Sequence, residues 1–347
     1  MKLTRSSQPR AFAVIIVLVV VTVLTLLAGA FAYSMKIETR LAANANDDEQ
    51  FYWMARAGAE RACWWKSLDN GPFSSTHQYW AGGPGEGPET NSPLALESLA
   101  SCPVGAGTVS IKMVELESLI NINAADQPLL QNVLEQMNVG PDLKSVVTDS
   151  ILDWIDTDDG TRPAGAESDY YQGQGGYDAK NAPIDNMDEL QLIKGVTRAM
   201  YTGQSENTMS TPFPTHRLGV GTRPGEENYT FGLRDVFTPF SSGKVNWRTA
   251  SSTVLQALPG IDEATAEAIV NARDADPPVR DLNQLLGTAG MNPAAAQQAM
   301  RYFDGPGHGN TYKVTITATI GQLSHTYTAI IFRDGRLVSI YNFYRSE

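Results

Sequence analysis

From Ala11 to Tyr33 the chain reads AFAVIIVLVVVTVLTLLAGAFAY, an apolar run without a charge, with Lys2, Arg5 and Arg10 before it and most of the 347 residues after it. At about 1.5 Å of rise per residue the run makes a helix roughly 35 Å long, enough to cross a hydrocarbon core of about 30 Å. A cleaved secretory signal has an apolar core of only about 7 to 15 residues, so this run is an anchor. By the positive-inside rule the cations before it hold the N-terminus in the cytoplasm and send the bulk of the chain to the other side.

The helical pattern does not stop at the membrane edge. From Ser34 the sequence SMKIETRLAANANDDEQFYWMARAGAERACWWKSL holds no Gly before Gly58 and no Pro before Pro72. Ile37, Leu41, Ala45, Phe51 or Tyr52, Met54 or Ala55, Ala59, Ala62 and Trp65 recur at three- and four-residue steps, which is one helical face. One continuous helix, half span and half amphipathic, is the N-terminal signature of the type IV pilin and pseudopilin superfamily, which this segment resembles. That resemblance implies a basic leader, residues 1–11, cut between Ala11 and Phe12 by a prepilin peptidase, followed by methylation of the new terminus. The family usually has Gly where this chain has Ala11. It also implies a Glu at the fifth mature position, where this chain has Ile16. The pseudopilin class lacking that Glu is the tip subunit, type K.

With 26 Lys+Arg against 38 Asp+Glu the net charge is −12, which disfavours a nucleic-acid partner and favours divalent cations. Cys63 and Cys102 are the two cysteines, and on an oxidising side of the membrane they are a candidate disulfide, the alternative being two buried thiols. The four histidines, His77, His216, His308 and His325, are scattered and make no catalytic motif with Ser or Cys. No enzyme is expected.

After the long helix, Asn70 to Cys102 is loop by its Gly, Pro, Asn and Ser content. Gly107 to Ser118 then alternates as a half-buried strand. Its partners lie at the far end, where the spacing predicts strands over Tyr312 to Ile320, Ser324 to Arg333 and Leu337 to Arg345. Gly321-Gln322 turns the first pair, and Asp334-Gly335 reads as a type I′ hairpin. The expected fold is α+β: the helix over residues 12–70 packed on an antiparallel pilin-like sheet from 71–118 and 308–347, interrupted by an all-α insertion over 119–307.

The insertion is duplicated. The segment from Asn121 to Gln131 aligns with that from Asn246 to Gln256, and that from Ile184 to Leu190 with that from Val279 to Leu285. The first copy therefore carries about thirty extra residues, around Asp156 to Pro183. Asp126 and Ser251 read as N-caps. Leu129, Leu130, Val133 and Leu134, and in the second copy Val254, Leu255 and Leu258, form apolar faces. In the second copy LPGIDEATAEAIVNARD resembles a helix-hairpin-helix, a motif that often grips DNA phosphate through hairpin amides. Here Asp262 and Glu263 stand at the phosphate position, so the motif reads as packing. The stretch from Tyr201 to Phe240 reads as a linker with a short strand around Tyr229 to Phe231.

The thirty extra residues place Asp156, Asp158, Asp159, Glu167 and Asp169 in one Gly-interrupted loop with Arg162 as the lone cation among them. A hard cation with six to eight oxygen ligands relieves that repulsion, and Ca²⁺ tolerates irregular loops better than Mg²⁺. The alternative is a solvated acidic loop. Counted from Asp156 the loop partly mimics an EF-hand, with Asp158 at the third position and Glu167 at the twelfth, but Gly160 and Thr161 break the pattern.

The combined order resembles the type K minor pseudopilin of type II secretion systems. The resemblance rests on the helix with Ile16, LININAADQPLLQNVL, DWIDTDDGTRPAGAESDYY, NAPIDNMDELQLIKGV and VNWRTASSTVLQALPGI. It implies a structural Ca²⁺ held by Asp156, Asp158, Glu167 and Asp169, with Asp159 in reserve. It also implies a single-pass inner-membrane protein, its bulk periplasmic, that caps the pseudopilus, helps to start its assembly and serves export across the outer membrane. The implied partners are minor pseudopilins of types I, J and H, the inner-membrane assembly platform and the prepilin peptidase, and no nucleic acid. The competing reading is a component of a type IV pilus or competence system that touches DNA.

Overall fold

The computed structural model describes residues 10–69, 71, 73–86, 98–203, 229–275, 279–304 and 309–346, with backbone alone for 10–13 and 40–46. Most of the leader, most of the linker and the end of the insertion at 307 lie outside these residues. Helix α1 (Arg10–Leu68) is unbroken. Its segment Val14–Thr39 is long and apolar enough to span a membrane, and none of it is buried by protein. Thr22 and Thr25 return their hydroxyls to the carbonyls of Leu18 and Val21 at 2.7 Å, so the polar atoms inside the span satisfy themselves, as lipid requires.

Past the span, the helix buries Phe51, Met54, Ala55, Ala59, Ala62 and Trp65. They meet one face of a five-stranded antiparallel sheet made of β1 (Cys102–Val104), β2 (Gly107–Glu115), β5 (Thr311–Ile320), β6 (Leu323–Asp334) and β7 (Leu337–Ser346), joined in that order. Alternation delivers the matching face: Ile111 pairs with Ile316 and Ile316 with Tyr327, while Met113 pairs with Val314 and Val314 with Ala329. Each large side chain buried here contributes about 1.5–3 kcal/mol. Gly58 sets the distance of approach, because a Cβ there would lie 2.8 Å from Val109 and 2.9 Å from Ile316.

This is the α+β fold expected. The three C-terminal strands begin and end within one residue of their expected bounds. The last turn differs: Asp334 pairs with Leu337, so the central residues are Gly335-Arg336 rather than Asp334-Gly335. Gly335 has φ 60° and Arg336 keeps an ordinary negative φ, so one positive φ at the first central position suffices, the pattern of a type II′ turn. A bulge between Ile330 and Ile331 leaves Tyr341 unopposed on β7, interrupting an edge strand that would otherwise offer an unbroken row of amides.

Between β2 and β5 lies the insertion. Among the described residues its regular structure is helical apart from a parallel pair, β3 (Ile120–Asn121) with β4 (Phe237–Thr238), and an isolated parallel bridge between Val245 and Phe303. Its helices are α2 (Gln127–Gln136), α3 (Pro141–Ile155), α4 (Ser168–Gln174), α5 (Arg198–Thr202), α6 (Leu233–Val236), α7 (Ser252–Gln256), α8 (Glu263–Asp274), α9 (Leu282–Thr288) and α10 (Pro293–Ala299). The strand expected at Tyr229 to Phe231 is absent. Those residues are loop, and helix α6 starts just beyond them at Leu233, where the Asp235 carboxylate accepts from the Gly232 amide at 2.9 Å and closes a cap.

The duplication is a duplication of caps. Asp126 accepts from Leu129 N at the head of α2, and Ser251, 125 residues on, accepts from Val254 N at the head of α7. Asn186 caps the 3₁₀ turn Met187–Leu192, and Asp281, 95 residues on, caps α9. The match extends further than the sequence alignment. Gly195 and Gly290, both left-handed, precede the caps Thr197 and Asn292 of α5 and α10. Leu130, Val133, Leu134 and Ile151 from one copy and Val254, Leu255, Leu258 and Ile269 from the other share a single core around Trp247. Asn132 clips the copies together by donating to the carbonyls of Gln256 and Ala257 at 3.2 and 2.8 Å.

Candidate functional site

The acidic loop starts where α3 ends. Asp153, on the last turn of α3 and fully buried, accepts from the Arg162 backbone amide and, at 2.6 Å, from Arg162 Nη1. The same Nη1 donates to Asp156 Oδ2 at 2.5 Å. Asp158 is exposed and accepts from Gly160 N at 2.9 Å, a local turn, while exposed Asp159 accepts from Asn181 Nδ2 at 2.8 Å. Asp169 is exposed in the first turn of α4. Glu167, the residue before α4, is 5% exposed, and neither carboxyl oxygen has a hydrogen-bond donor. Burial, and then the negative charges of Asp153, Asp156, Asp159 and Asp158, push its pKa up to about 7.

The five expected ligands are therefore not gathered into one cage. Among the described residues no three His, Cys, Asp or Glu side chains converge on a point, because Arg162 engages Asp156, and Asp158 and Asp159 are turned to their own neighbours. What the loop holds instead is a set of buried oxygens without donors: both of Glu167, Oδ1 of Asp156 and Oδ1 of Asn181. Each is an acceptor, and leaving a buried acceptor unmet costs about 1–3 kcal/mol. A hard cation is the partner that suits a group made of oxygens alone, so these residues fit Ca²⁺ in donor type. Sequence reasoning missed Asn181, and it missed Asp153, which is buried but paired with Arg162. For Asp153 the signal was available, since it falls on the helical face of α3 that carries Asp149 and Val146.

In the second copy, the turn between α7 and α8 puts Gly260 at φ 90°, and Asp262 accepts from Thr265 N at 2.8 Å. That bond holds the Asp262 carboxyl below its ordinary pKa. The amide a phosphate would need is thus taken by the protein's own carboxylate. Arg273 of α8 is buried and donates to the carbonyls of Trp247 and Ala250 at 3.1 and 2.7 Å, so this cation is structural.

A second polar cluster sits where the insertion meets the pilin fold. Lys66, near the end of α1 and fully buried, pairs with Asp69 at 2.5 Å and lies over the rings of Trp80 and Tyr312. Glu115, at the end of β2, accepts from Asn246 Nδ2 at 2.7 Å and from the Thr249 hydroxyl. Asn246 Nδ2 also donates to Ser74 O at 3.2 Å, and its backbone amide donates to Glu117 O at 2.6 Å. Arg333 of β6 donates to Asp69 O. Burial lowers the Lys66 pKa and raises those of Glu115 and Glu117, the last to about 7. Three segments far apart in sequence thus share one desolvated set of charges.

Of the remaining expected positions, Ala11 and Phe12 lie in the first turn of α1 with side chains outside the described residues, and Ile16 is exposed on the span. Cys63 and Cys102 are not bonded to each other. Both are buried thiols in the core under the sheet, and Cys102 Sγ donates to Ser98 O at 3.0 Å.

Residues 111–204 match the family model described as type II secretion system (T2SS), protein K, and residues 241–304 match the helix-hairpin-helix motif. The fold is similar to a chain of the solved GspK-GspI-GspJ complex from the enterotoxigenic Escherichia coli type 2 secretion system. That likeness has a TM-score of 0.63 at 16% identity, covering 88% of this chain and 99% of that one. A comparison with curated proteins found no match. The protein K segment runs from within β2 through the first helical copy and the whole acidic loop, on a fold similar to that of a chain in that complex.

Proposed function

We propose that this chain is a type K minor pseudopilin that caps the tip of the pseudopilus, helps to start its assembly and takes part in export across the outer membrane. The observation that carries the proposal is where the insertion sits. It is fixed through Asn246 to Ser74 and Glu115, beside Lys66 at the far end of α1. From Thr39 to Lys66 the helix rises about 40 Å, so the bulk added to the pilin fold lies at the pole away from the membrane. A subunit carrying it accepts neighbours below and obstructs one above. Ile16 agrees, because an apolar side chain has no charge to offer the terminal amine of a subunit stacked over it.

The partners this role requires are other minor pseudopilins, types I and J first and H beside them, together with the inner-membrane assembly platform. Processing between Ala11 and Phe12, methylation of Phe12 and a periplasmic bulk follow from the same reading, and no catalysis is assigned. Replacing residues 119–307 by a short linker tests it. Loss of secretion and of filament initiation is expected, and normal pseudopili would refute the tip role.

The acidic loop is read as a structural Ca²⁺ site. Glu167, Asp156, Asp158, Asp159 and Asp169 are the candidate carboxylates, and the bound ion would supply the positive charge that Glu167 lacks. Thermal melts with and without EDTA test this, and an unchanged melting temperature would remove the ion. The DNA-contacting alternative is disfavoured by the Asp262 cap and the buried Arg273, and a mobility shift at low salt would revive it.

A further inference from the structure

We infer that Asn181 is a further ligand of the loop's cation, supplying a neutral carboxamide oxygen; the inference rests on the calcium reading above. The orientation of the Asn181 side chain follows from chemistry. Its amide meets Asp159 Oδ1 at 2.8 Å, and an ionised carboxylate only accepts hydrogen bonds, so the NH₂ faces Asp159. The carboxamide oxygen is thereby turned the other way, where it is buried and has no donor.

The backbone on both sides of Asn181 is pinned. Ala179 N donates to Ser168 Oγ at 3.1 Å, one residue after Glu167. Ile184 exchanges two hydrogen bonds with Asn123, its amide donating at 2.7 Å and its carbonyl accepting at 3.0 Å. Asn181 is thus held between the middle of the acidic loop and the residue beside Glu167. The neighbouring cation does not meet the need, since Lys180 is engaged by Asp185 at 2.7 Å and by Glu189 at 2.9 Å. Glu167 is the independent sign that something is to be bound, being a carboxylate more than nine-tenths buried with both oxygens unmet. A neutral oxygen beside several carboxylates is ordinary for Ca²⁺, which takes Asn side chains as readily as carbonyls. It adds a ligand without adding repulsion.

The left-handed backbone at Asn181, φ 45°, selects the test variants. Asn181→Gly tolerates that φ and deletes the oxygen. Asn181→Asp keeps an oxygen but replaces the donor to Asp159 by a repelling charge. Full-length protein in detergent, stripped of metal, is titrated with CaCl₂ by calorimetry and by thermal shift. Wild type is expected to bind and to melt higher. Asn181→Gly is expected to bind at least about tenfold more weakly while its metal-free melting temperature stays near wild type. Asn181→Asp is expected to melt lower without metal and to gain more from Ca²⁺ than wild type does. Ca²⁺ affinity unchanged in Asn181→Gly, with wild type binding, overturns the role of Asn181. Absence of binding in wild type overturns the calcium reading itself.

Discussion

Glu117 offers a measurement of how the insertion is joined to the pilin fold. The residue is 2% exposed and its carboxylate accepts from Thr311 N at 3.3 Å. Burial, and next the charge of Glu115, raise its pKa from 4.5 to about 7. Asn310 and Thr311 amides act the other way. A carboxyl whose folded pKa lies above its unfolded one holds its proton more tightly when folded, so its stabilisation is complete below about pH 4.5 and is lost as pH rises through about 7. At about 1.4 kcal/mol per pH unit that interval corresponds to about 3 kcal/mol. Glu117→Gln abolishes the ionisation and keeps an oxygen for Thr311 N. The variant should match wild type at pH 4 and exceed it by up to about 3 kcal/mol at pH 8, roughly 6 °C in Tm for a chain of this size. Melting curves of full-length protein in detergent from pH 4 to 8 read this directly. A gain of equal size at both ends would assign the effect to packing, and a loss at pH 8 would mean that the carboxylate is stabilised by a cation, contrary to the burial argument.

Other perturbations have equally definite outcomes. Lys66→Ala removes the cation between Asp69 and Glu115, and at about 3–5 kcal/mol it should unfold much of the protein at 37 °C, seen as a collapse of near-ultraviolet circular dichroism; a change under 1 kcal/mol would disprove the buried pairing. Gly58→Val drives methyl groups into Val109 and Ile316 and should cost about 1–3 kcal/mol or more in a denaturant titration, whereas the same change at open Gly29 should leave the soluble fold unaffected. Arg162→Gln strips buried Asp153 of its counter-charge, and a loss of about 2–3 kcal/mol in EDTA should shrink once CaCl₂ is added; an equal loss in both conditions would count against a cation in the loop.

The parts of the fold legible in sequence were those fixed by local rules. Alternation in β5 and β6, and Gly-containing turns, located the meander to within a residue, and caps such as Asp126 and Ser251 exposed the repeat. What stayed hidden depends on neighbours far along the chain. Lys66, Glu115 and Glu117 look like solvated charges by composition, and only the meeting of α1, β2, β5 and the second helical copy buries them together. Strand β1 is three residues long, CPV, too short to show a period. The bulge at Tyr341 is a property of pairing with β6, not of β7. In the loop, acidity drew attention to Asp156, Asp159 and Glu167, but Asn181 carries no charge and is tied to them through a bond to Asp159 across 22 residues of sequence.

The duplication gives these pieces a common logic. Asn121 and Asn246 are equivalent residues, and each uses its carboxamide oxygen to accept from the amide two residues on, Asn123 N and Arg248 N. Their amide nitrogens have parted ways. In the first copy the nitrogen stays at home and donates to Ser241 O. In the second it reaches out of the domain to Ser74 and Glu115. The thirty extra residues divide the copies in the opposite sense: the first holds the acidic loop with Arg162 and Glu167, and the second has only the few residues between α8 and Val279 there. One copy is therefore specialised to hold charge and the other to fasten the pair onto α1 and the sheet. Both halves nevertheless border the sheet, since Asp185, Asn186 and Asp188 of the first copy line a cleft with Ile330, Asn342 and Tyr344, and the second is the one bonded to the charges around Lys66 through Asn246 and Glu115.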